Sequence, residues 1–272
     1  MRPSIVTTFS PPGIGPIKIA SPPGKLSLTP ATQMAVEAIG ANRHLLSGRG
    51  IDWGSGSGVL AVATAKIPTV ECIVGLELAE EDIAVARANA EGNGVAGKIT
   101  FIRSDSFEPF EDQDASPLDA LVGHADFLIA NPPASRGDDG LGWRRSVLRG
   151  ALRFVKPAAP LLVQISYQYN VERIARLAED VPGYTYDGVI GTSDWIEFDQ
   201  SREDLSKKLV DYADEEKIGG TAYTFRGGRR AGAGRRGERE HMTATEALAH
   251  YRETGESPIS KWQMHLFRKH LG

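Results

Sequence analysis

The stretch GRGIDWGSGSGVLAVATAK, residues 48 to 66, decides the fold. A short run, Gly48 to Trp53, ends in Asp52-Trp53; glycines and serines alternate from Gly54 to Gly58; small apolar residues follow without a break. Strand, glycine turn and helix in that order make the first βα unit of a parallel sheet. Glycines at such a turn let the backbone pass close to a ligand and offer N–H groups at a helix N-terminus. Three common loops do not fit. The dinucleotide fingerprint takes Gly54 and Gly56 but meets Val59 where its third glycine belongs. A P-loop needs G-K-[S/T], which is absent. Neither Ser55 nor Ser57 has a glycine two residues away on each side, so there is no nucleophile elbow.

Outward from this unit, apolar runs keep alternating with helical patterns. ECIVGLE (71–77) reads as the second strand. AEEDIAVARANAEGNGV gives a helix with Ile83, Ala86 and Ala90 on one face, stopped near Gly92-Asn93-Gly94. KITFIRSD, DFLIAN and PLLVQISY (160–167) are the third to fifth strands, with helices over 141–155 and 171–181. Upstream, residues 1–27 are rich in Pro and Gly and read as an irregular lead-in, and a helix opens at Thr29-Pro30. Beyond residue 183 lie three strand candidates, YTYDGVI, DWIEF and TAYTF, with a polar helix around 202–217. The pattern does not say which two close the sheet. The segment from about His241 reads as helical and outside the α/β alternation.

A chain of 272 residues, 41% hydrophobic and 24% charged, suits one large α/β domain with an appendage, or two small domains. A single cysteine, Cys72, excludes an intrachain disulfide framework and a cysteine-rich zinc site. The six histidines show no paired spacing, so no metal is expected. No apolar run suits a signal peptide or a membrane span, and the expected location is the cytoplasm. The net charge of −4 divides into −7 over residues 1–200 and +3 over 201–272. The basic excess lies in RGGRRAGAGRRGERE (226–240), with six arginines, Arg229 and Arg230 among them. Such a segment is either an arm that meets a polyanion or a solvated loop.

The pattern Asp52-x-Gly54-x-Gly56-x-Gly58 resembles the first motif of class I S-adenosylmethionine (SAM)-dependent methyltransferases. The strand ends that follow agree with it. Glu77 closes the second strand, where an acid can accept both ribose hydroxyls, a device that NAD-binding folds share. Asp105 closes the third. Any one of these acids could equally cap a helix; three in register with a glycine loop are hard to ascribe to coincidence. The resemblance implies a Rossmann-like, seven-stranded, mainly parallel α/β sheet with helices on both faces and a C-terminal appendage. It implies a lead-in over 1–28, a methyltransferase domain over 29–200, and a substrate-recognising extension over 201–272. The cofactor site would comprise Asp52, Trp53, Gly54, Ser55, Gly56, Gly58, Glu77, Leu78, Asp105, Ser106 and Asn131. The product would be S-adenosylhomocysteine.

The fourth strand ends in ADFLIANPPAS (125–135), and two prolines cannot continue a central ladder. Asn131-Pro132-Pro133 is an ordinary stop signal by itself. Beside this glycine loop it resembles the [N/D/S]-P-P-[Y/F] motif of enzymes that methylate planar nitrogens, namely exocyclic amines of bases and the glutamine amide. The chemistry explains the residue types. Such a nitrogen has a delocalised lone pair, and the Asn131 side-chain oxygen and the Pro132 carbonyl can each hold one of its hydrogens. Held so, the lone pair turns toward the methyl group, and catalysis is positioning and electrostatics. Over roughly residues 27–170 the chain looks like the "small domain" methyltransferases, with GKLSLTPATQMAVEAI (24–39) similar to the helix that covers SAM in that group. Two positions depart from the pattern. Ala134 stands where an aromatic usually stacks on the target, leaving Trp143, Tyr167, Tyr169 and Trp195 as substitutes. Trp53 replaces a small aliphatic. The arginine segment directs the expectation to RNA; the alternatives are a protein glutamine, a small amine, or a non-catalytic SAM- or RNA-binding subunit. The sequence carries no signal of oligomeric state.

Overall fold

Phe127–Ala130 and Pro160–Ser166 are buried along their whole length, as interior strands of a sheet covered on both faces must be. The computed structural model describes residues 5–21, 27–135, 138–227 and 241–271. In chain order its elements are β1 (Ile5–Phe9), β2 (Ile17–Ser21), α1 (Pro30–Ala41), β3 (Gly48–Trp53), α2 (Val59–Ala65), β4 (Val70–Glu77) and α3 (Glu80–Gly92). There follow β5 (Ile99–Asp105), β6 (Glu108–Pro109), α4 (Asp112–Asp119), β7 (Phe127–Ala130), α5 (Gly142–Phe154) and β8 (Pro160–Ser166). Then come α6 (Val171–Ala175), α7 (Leu177–Asp180), β9 (Tyr184–Thr192), β10 (Ile196–Glu197) and α8 (Glu203–Lys217). The chain ends with β11 (Phe225–Arg226), β12 (His241–Met242), α9 (Ala244–Thr254), β13 (Ile259–Ser260) and β14 (Trp262–Lys269).

The large sheet runs β6-β5-β4-β3-β7-β8-β14-β9. The ladders β5-β4-β3-β7-β8 are parallel, and β14 pairs with β9 antiparallel. The fold is therefore α/β and Rossmann-like, and the two-residue β6 is the addition to the seven strands expected. Asp52 lies opposite Gly75 on one side and Ile129 on the other, and Trp53 opposite Leu76 and Ala130. Glu77 pairs with Arg103. The glycine loop, Glu77, Asp105 and Asn131 thus leave the sheet at one edge, the carboxyl ends of its parallel strands. Ile51, Leu128, Ile129 and Leu162 are fully buried beneath that edge, each contributing about 2 kcal/mol to the core. Among the described residues no helix is long and apolar enough to cross a membrane.

Thr29 opens α1 as expected, its hydroxyl accepting the Thr32 N–H with Pro30 at the first turn. Four local readings need correction. The lead-in contains a hairpin, β1 against β2, because IVTTF and IKIAS are strand-forming pentapeptides hidden between proline-rich flanks. The helix expected over 171–181 breaks into α6 and α7. Of the three strand candidates only the first, β9, enters the large sheet; the others shrink to two-residue strands elsewhere. The end of the chain is helical only over α9, and β14 carries it back into the large sheet.

The chain forms two compact units, one of residues 1–164, 175–192 and 263–272, the other of 165–174 and 193–262. Within the second, a small sheet ordered β10-β13-β11-β12 accompanies α8 and α9. Glu216 organises its turn, accepting the N–H groups of Tyr223, Ala244 and Thr245 and the Thr245 hydroxyl. A reciprocal Thr243–Glu246 capping box starts α9, and Gly255 at φ 73° ends it.

Candidate active site

The glycine loop divides its work between ligand space and packing. Gly54, Gly56 and Gly58 all adopt left-handed backbone, at φ 68°, 52° and 78°. A methyl group at Gly54 or Gly56 would meet nothing within 4 Å, because both face an open cavity. One at Gly58 would come within 2.9 Å of Ala86 and Phe101. The loop is held from behind: the Ser55 N–H donates to Leu76, the Ser55 hydroxyl to the Asp52 carbonyl, and the Asn89 side chain to the Ser57 carbonyl at 2.9 Å. Asn89 is buried and also exchanges two hydrogen bonds with the Ala20 backbone, so α3 joins the N-terminal hairpin to the loop.

Two carboxylates serve this loop differently. Asp52 is buried and accepts the Ala61 N–H at 3.1 Å. Burial raises its carboxyl to about 7, against the opposing pull of the Ala61 and Ser55 hydrogen bonds and with a small push from Glu77. Glu77 reaches across from β4. Its Oε2 accepts the Gly56 N–H at 2.7 Å, and its Oε1 accepts the N–H groups of Leu78 and Ala79 at 2.9 Å.

Two cavities open at this edge and share Gly54. The smaller, about 210 Å³, is lined by Asp52, Ser55, Gly56 and Asn131, with Thr32 from α1. The larger, about 310 Å³, lies among Trp53, Glu77, Leu78, Asp105, Ser106 and Trp143, with Pro133 at its side. Trp53 donates its indole N–H to the Ser106 hydroxyl at 2.9 Å, and Ser106 adopts left-handed backbone, φ 57°. Trp143 is 41% exposed, with its ring centre 6.2 Å from that of Trp53.

The Asn-Pro-Pro turn is gripped by a residue the sequence did not advertise. Arg144, in the first turn of α5 and 3% exposed, donates to the Pro132 carbonyl at 2.6 Å and to the Pro133 carbonyl at 2.5 Å. A further bond, at 3.3 Å, reaches the Gln164 carbonyl of β8. Its neighbour Arg145 turns away to a bidentate pair with Asp139 and a third bond to Asp180. In sequence the two read as one charged pair; only the helix phase separates an inward from an outward guanidinium.

The expected site residues therefore fall into groups. Asp52, Trp53, Gly54, Ser55, Gly56, Glu77, Leu78, Asp105, Ser106, Asn131, Pro133 and Trp143 line the two cavities. Gly58 and Pro132 stand behind that lining, the first in packing and the second under Arg144. Tyr167 and Trp195 meet edge to face in the second unit, centroids 5.0 Å apart. Tyr169 is not available for stacking on a substrate: it is buried there, its hydroxyl 2.9 Å from that of Tyr212. Arg229 and Arg230 lie outside the described residues. The sequence reading missed Asn89 and Arg144, since a polar side chain in a helix announces no tertiary partner.

Comparison with known proteins identifies the family and the fold. The family model described as methyltransferase small domain matches residues 24–182. A release factor glutamine methyltransferase of Gloeobacter violaceus is 25% identical over 174 residues, covering 58% of this chain and 60% of that protein. A ribosomal protein L11 methyltransferase of Photobacterium profundum is 28% identical over 172 residues, 61% of this chain and 49% of that one. The chain thus spans about half to three fifths of the length of these curated relatives. The crystal structure of the YcgJ protein from Bacillus subtilis shares the fold, at TM-score 0.51 and 14% identity over 85% of this chain and 98% of that one.

Proposed function

The chain belongs to the methyltransferase small domain family, a family of SAM-dependent methyltransferases, and from that premise we propose that it methylates a planar nitrogen, foremost an exocyclic amine of an RNA base. The observation that carries the reading is the common lining of one cavity by Asn131 and the glycine loop. Bound SAM supplies an electrophilic methyl group. Gly54, Ser55 and Gly56 cradle its methionine portion, where open space stands in place of side chains, and Asp52 and Gly58 brace the turn. Glu77 and Leu78 take the ribose. Asp105 and Ser106 take the adenine in the larger cavity, walled by Trp53.

On the acceptor side, the Asn131 side-chain oxygen and the second lone pair of the Pro132 carbonyl each take one hydrogen of the target amine. The nitrogen lone pair is thereby aimed. As the N–CH3 bond forms, the S–CH3 bond would break with S-adenosylhomocysteine as leaving group. The nitrogen, cationic only from that point, would lose its proton to water, so no general base is needed before transfer. Trp143, beside Pro133, offers the stacking surface that Ala134 does not.

Choice of acceptor falls to the second unit, which holds most of the chain beyond residue 200. There Trp195 carries Arg226 at 4.3 Å and Lys261 at 4.8 Å from its ring centre. Cations and aromatic rings together, ahead of a run of arginines, favour an RNA partner. A protein glutamine is the second reading, favoured by the relatives whose names carry that substrate.

The test is methyl transfer from labelled SAM into an extract of undermethylated cells, followed by separate ribonuclease and protease digestion. Ribonuclease-sensitive label supports the RNA reading; protease-sensitive label replaces it with a protein acceptor. Asn131→Ala is expected to keep SAM affinity and lose about 100-fold in turnover. Unchanged turnover in that variant removes Asn131 from the acceptor site.

A further inference from the structure

We infer that Arg144 is a positioning residue for methyl transfer: its buried guanidinium locks the two proline carbonyls so that the Pro132 oxygen presents one fixed lone pair to the acceptor amine. The inference rests on the acceptor role proposed above for Asn131 and Pro132. Its ground is a torsion that the prolines leave loose. The Pro133 ring fixes its own φ but confines the ψ of Pro132 only to the extended region, a range of about 40° over which the Pro132 carbonyl still swings. Nothing of the kind holds the ψ of Pro133, which is followed by Ala134. One planar guanidinium closes that gap, with Nη2 on the Pro132 carbonyl at 2.6 Å and Nη1 on the Pro133 carbonyl at 2.5 Å.

Three further observations favour positioning over mere packing. Arg144 is 3% exposed, so its fork is not exchanging with water. Its third bond, to Gln164, ties the turn to β8, the strand beside β7. The far side of the same loop is pinned separately: the Ser135 hydroxyl accepts the Gly142 N–H at 2.8 Å, and Asp139 holds Arg145. The loop after the prolines has its own anchors, so within this turn Arg144 serves the two proline carbonyls. A carbonyl oxygen has two lone pairs, so a bond from Arg144 directs the remaining one and does not remove it. Lysine cannot reproduce this, since a single ammonium lacks the planar fork that spans two acceptors.

The experiment compares Arg144→Ala, Arg144→Lys and Asn131→Ala with the unaltered chain. It measures S-adenosylhomocysteine affinity by calorimetry and methyl transfer at saturating labelled SAM into the undermethylated extract. A misaimed carbonyl is expected to lower transfer by about 30–100-fold in Arg144→Ala while cofactor affinity stays within about threefold. Arg144→Lys is expected to recover only part of the loss. Guanidinium ion at low millimolar concentration is expected to raise transfer by the alanine variant, about fivefold or more, and to leave the unaltered chain unchanged.

Full transfer by Arg144→Ala beside an inactive Asn131→Ala overturns the inference and leaves the acceptor reading standing. Transfer and cofactor affinity lost in parallel, without guanidinium rescue, also overturn it, since that is the behaviour of a packing residue. An active Asn131→Ala overturns the acceptor reading itself. If Arg144→Ala does not fold, Arg144→Lys decides: transfer equal to the unaltered chain overturns the two-carbonyl lock.

Discussion

The Glu77 carboxylate accepts the Gly56 N–H at 2.7 Å, joining the end of the second strand directly to the glycine loop. Its other oxygen holds the N–H groups of Leu78 and Ala79. A carboxylate offers about four acceptor sites, so three are in use before any ligand arrives. In the proposed cofactor site two ribose hydroxyls would require one of them, which would free the Gly56 N–H for the methionine end. Glu77→Gln keeps the size and removes the charge. It is expected to weaken S-adenosylhomocysteine binding by about 10–100-fold in calorimetry, the value of a charged hydrogen bond. Unaltered affinity takes Glu77 out of the cofactor site.

Gly56 and Gly58 are two residues apart and should fail differently. Both need left-handed backbone, which costs an alanine about 1–2 kcal/mol. At Gly56 the added methyl enters the cavity, so Gly56→Ala is expected to lose cofactor affinity with only that modest loss of stability. At Gly58 it collides with Ala86 and Phe101, and overpacking adds about 1–3 kcal/mol. Denaturant unfolding and calorimetry on the two variants separate these outcomes. Equal losses of stability would contradict the division of labour.

Asp52 makes stability depend on pH in an unusual direction. An unfolded aspartate titrates near 3.8 and this one near 7. Between those values the folded chain keeps a proton that the unfolded chain has lost, so this residue's contribution falls as pH rises from about 4 to 7. The full cost is about 4 kcal/mol at most. Asp52→Asn keeps an acceptor for the Ala61 N–H and removes the titration. Its stability relative to the unaltered chain is expected to climb across that window and level off above it, in denaturant unfolding at a series of pH values. A flat difference means that Asp52 is ionised at ordinary cost.

What the sequence disclosed follows from which forces act locally. Continuous apolar runs, an N-cap before Pro30 and glycines after a strand are short-range signals, and they located five parallel strands and the edge at which the glycine loop leaves the sheet. β14 was overlooked because WQMHLFRK has no β-branched residue and its apolar alternation, Trp262, Met264 and Leu266, is short and breaks at Phe267; it is a strand because β8 and β9 flank it. The hairpin β1–β2 was masked by its proline-rich surroundings. Among the cavity-lining residues, Gly54, Glu77 and Asn131 could be named because they stand at strand ends. Arg144 could not, since only tertiary packing brings that helix against residues twelve positions earlier.

Asn89 links three pieces of backbone from inside α3. Its side chain accepts the Ala20 N–H at 2.8 Å and donates to the Ala20 and Ser57 carbonyls at 3.1 and 2.9 Å. It is 3% exposed, so Asn89→Ala leaves those groups without partners. The expected loss is about 2–4 kcal/mol in denaturant unfolding. Cofactor affinity should fall with it, because the Ser57 carbonyl anchors the loop. Loss of stability with undiminished affinity would mean that the loop holds its shape without Asn89.

Trp195 tests the RNA reading in the second unit. Arg226 and Lys261 stand over its ring and Tyr167 meets its edge. If this cluster holds single-stranded RNA, affinity falls with salt, each phosphate contact contributing about −0.7 to the logarithmic slope. Arg226→Ala is then expected to flatten the slope by about one contact. Trp195→Ala, which removes a stacking surface and no charge, is expected to cost about 1–3 kcal/mol of affinity at an unchanged slope. Filter binding of total transfer and ribosomal RNA across a salt series reads both quantities. The two variants distinguish charge from stacking, which a loss of binding alone does not. Affinity and slope unmoved in both would leave the cluster as internal packing and turn the acceptor search to glutamine-bearing proteins.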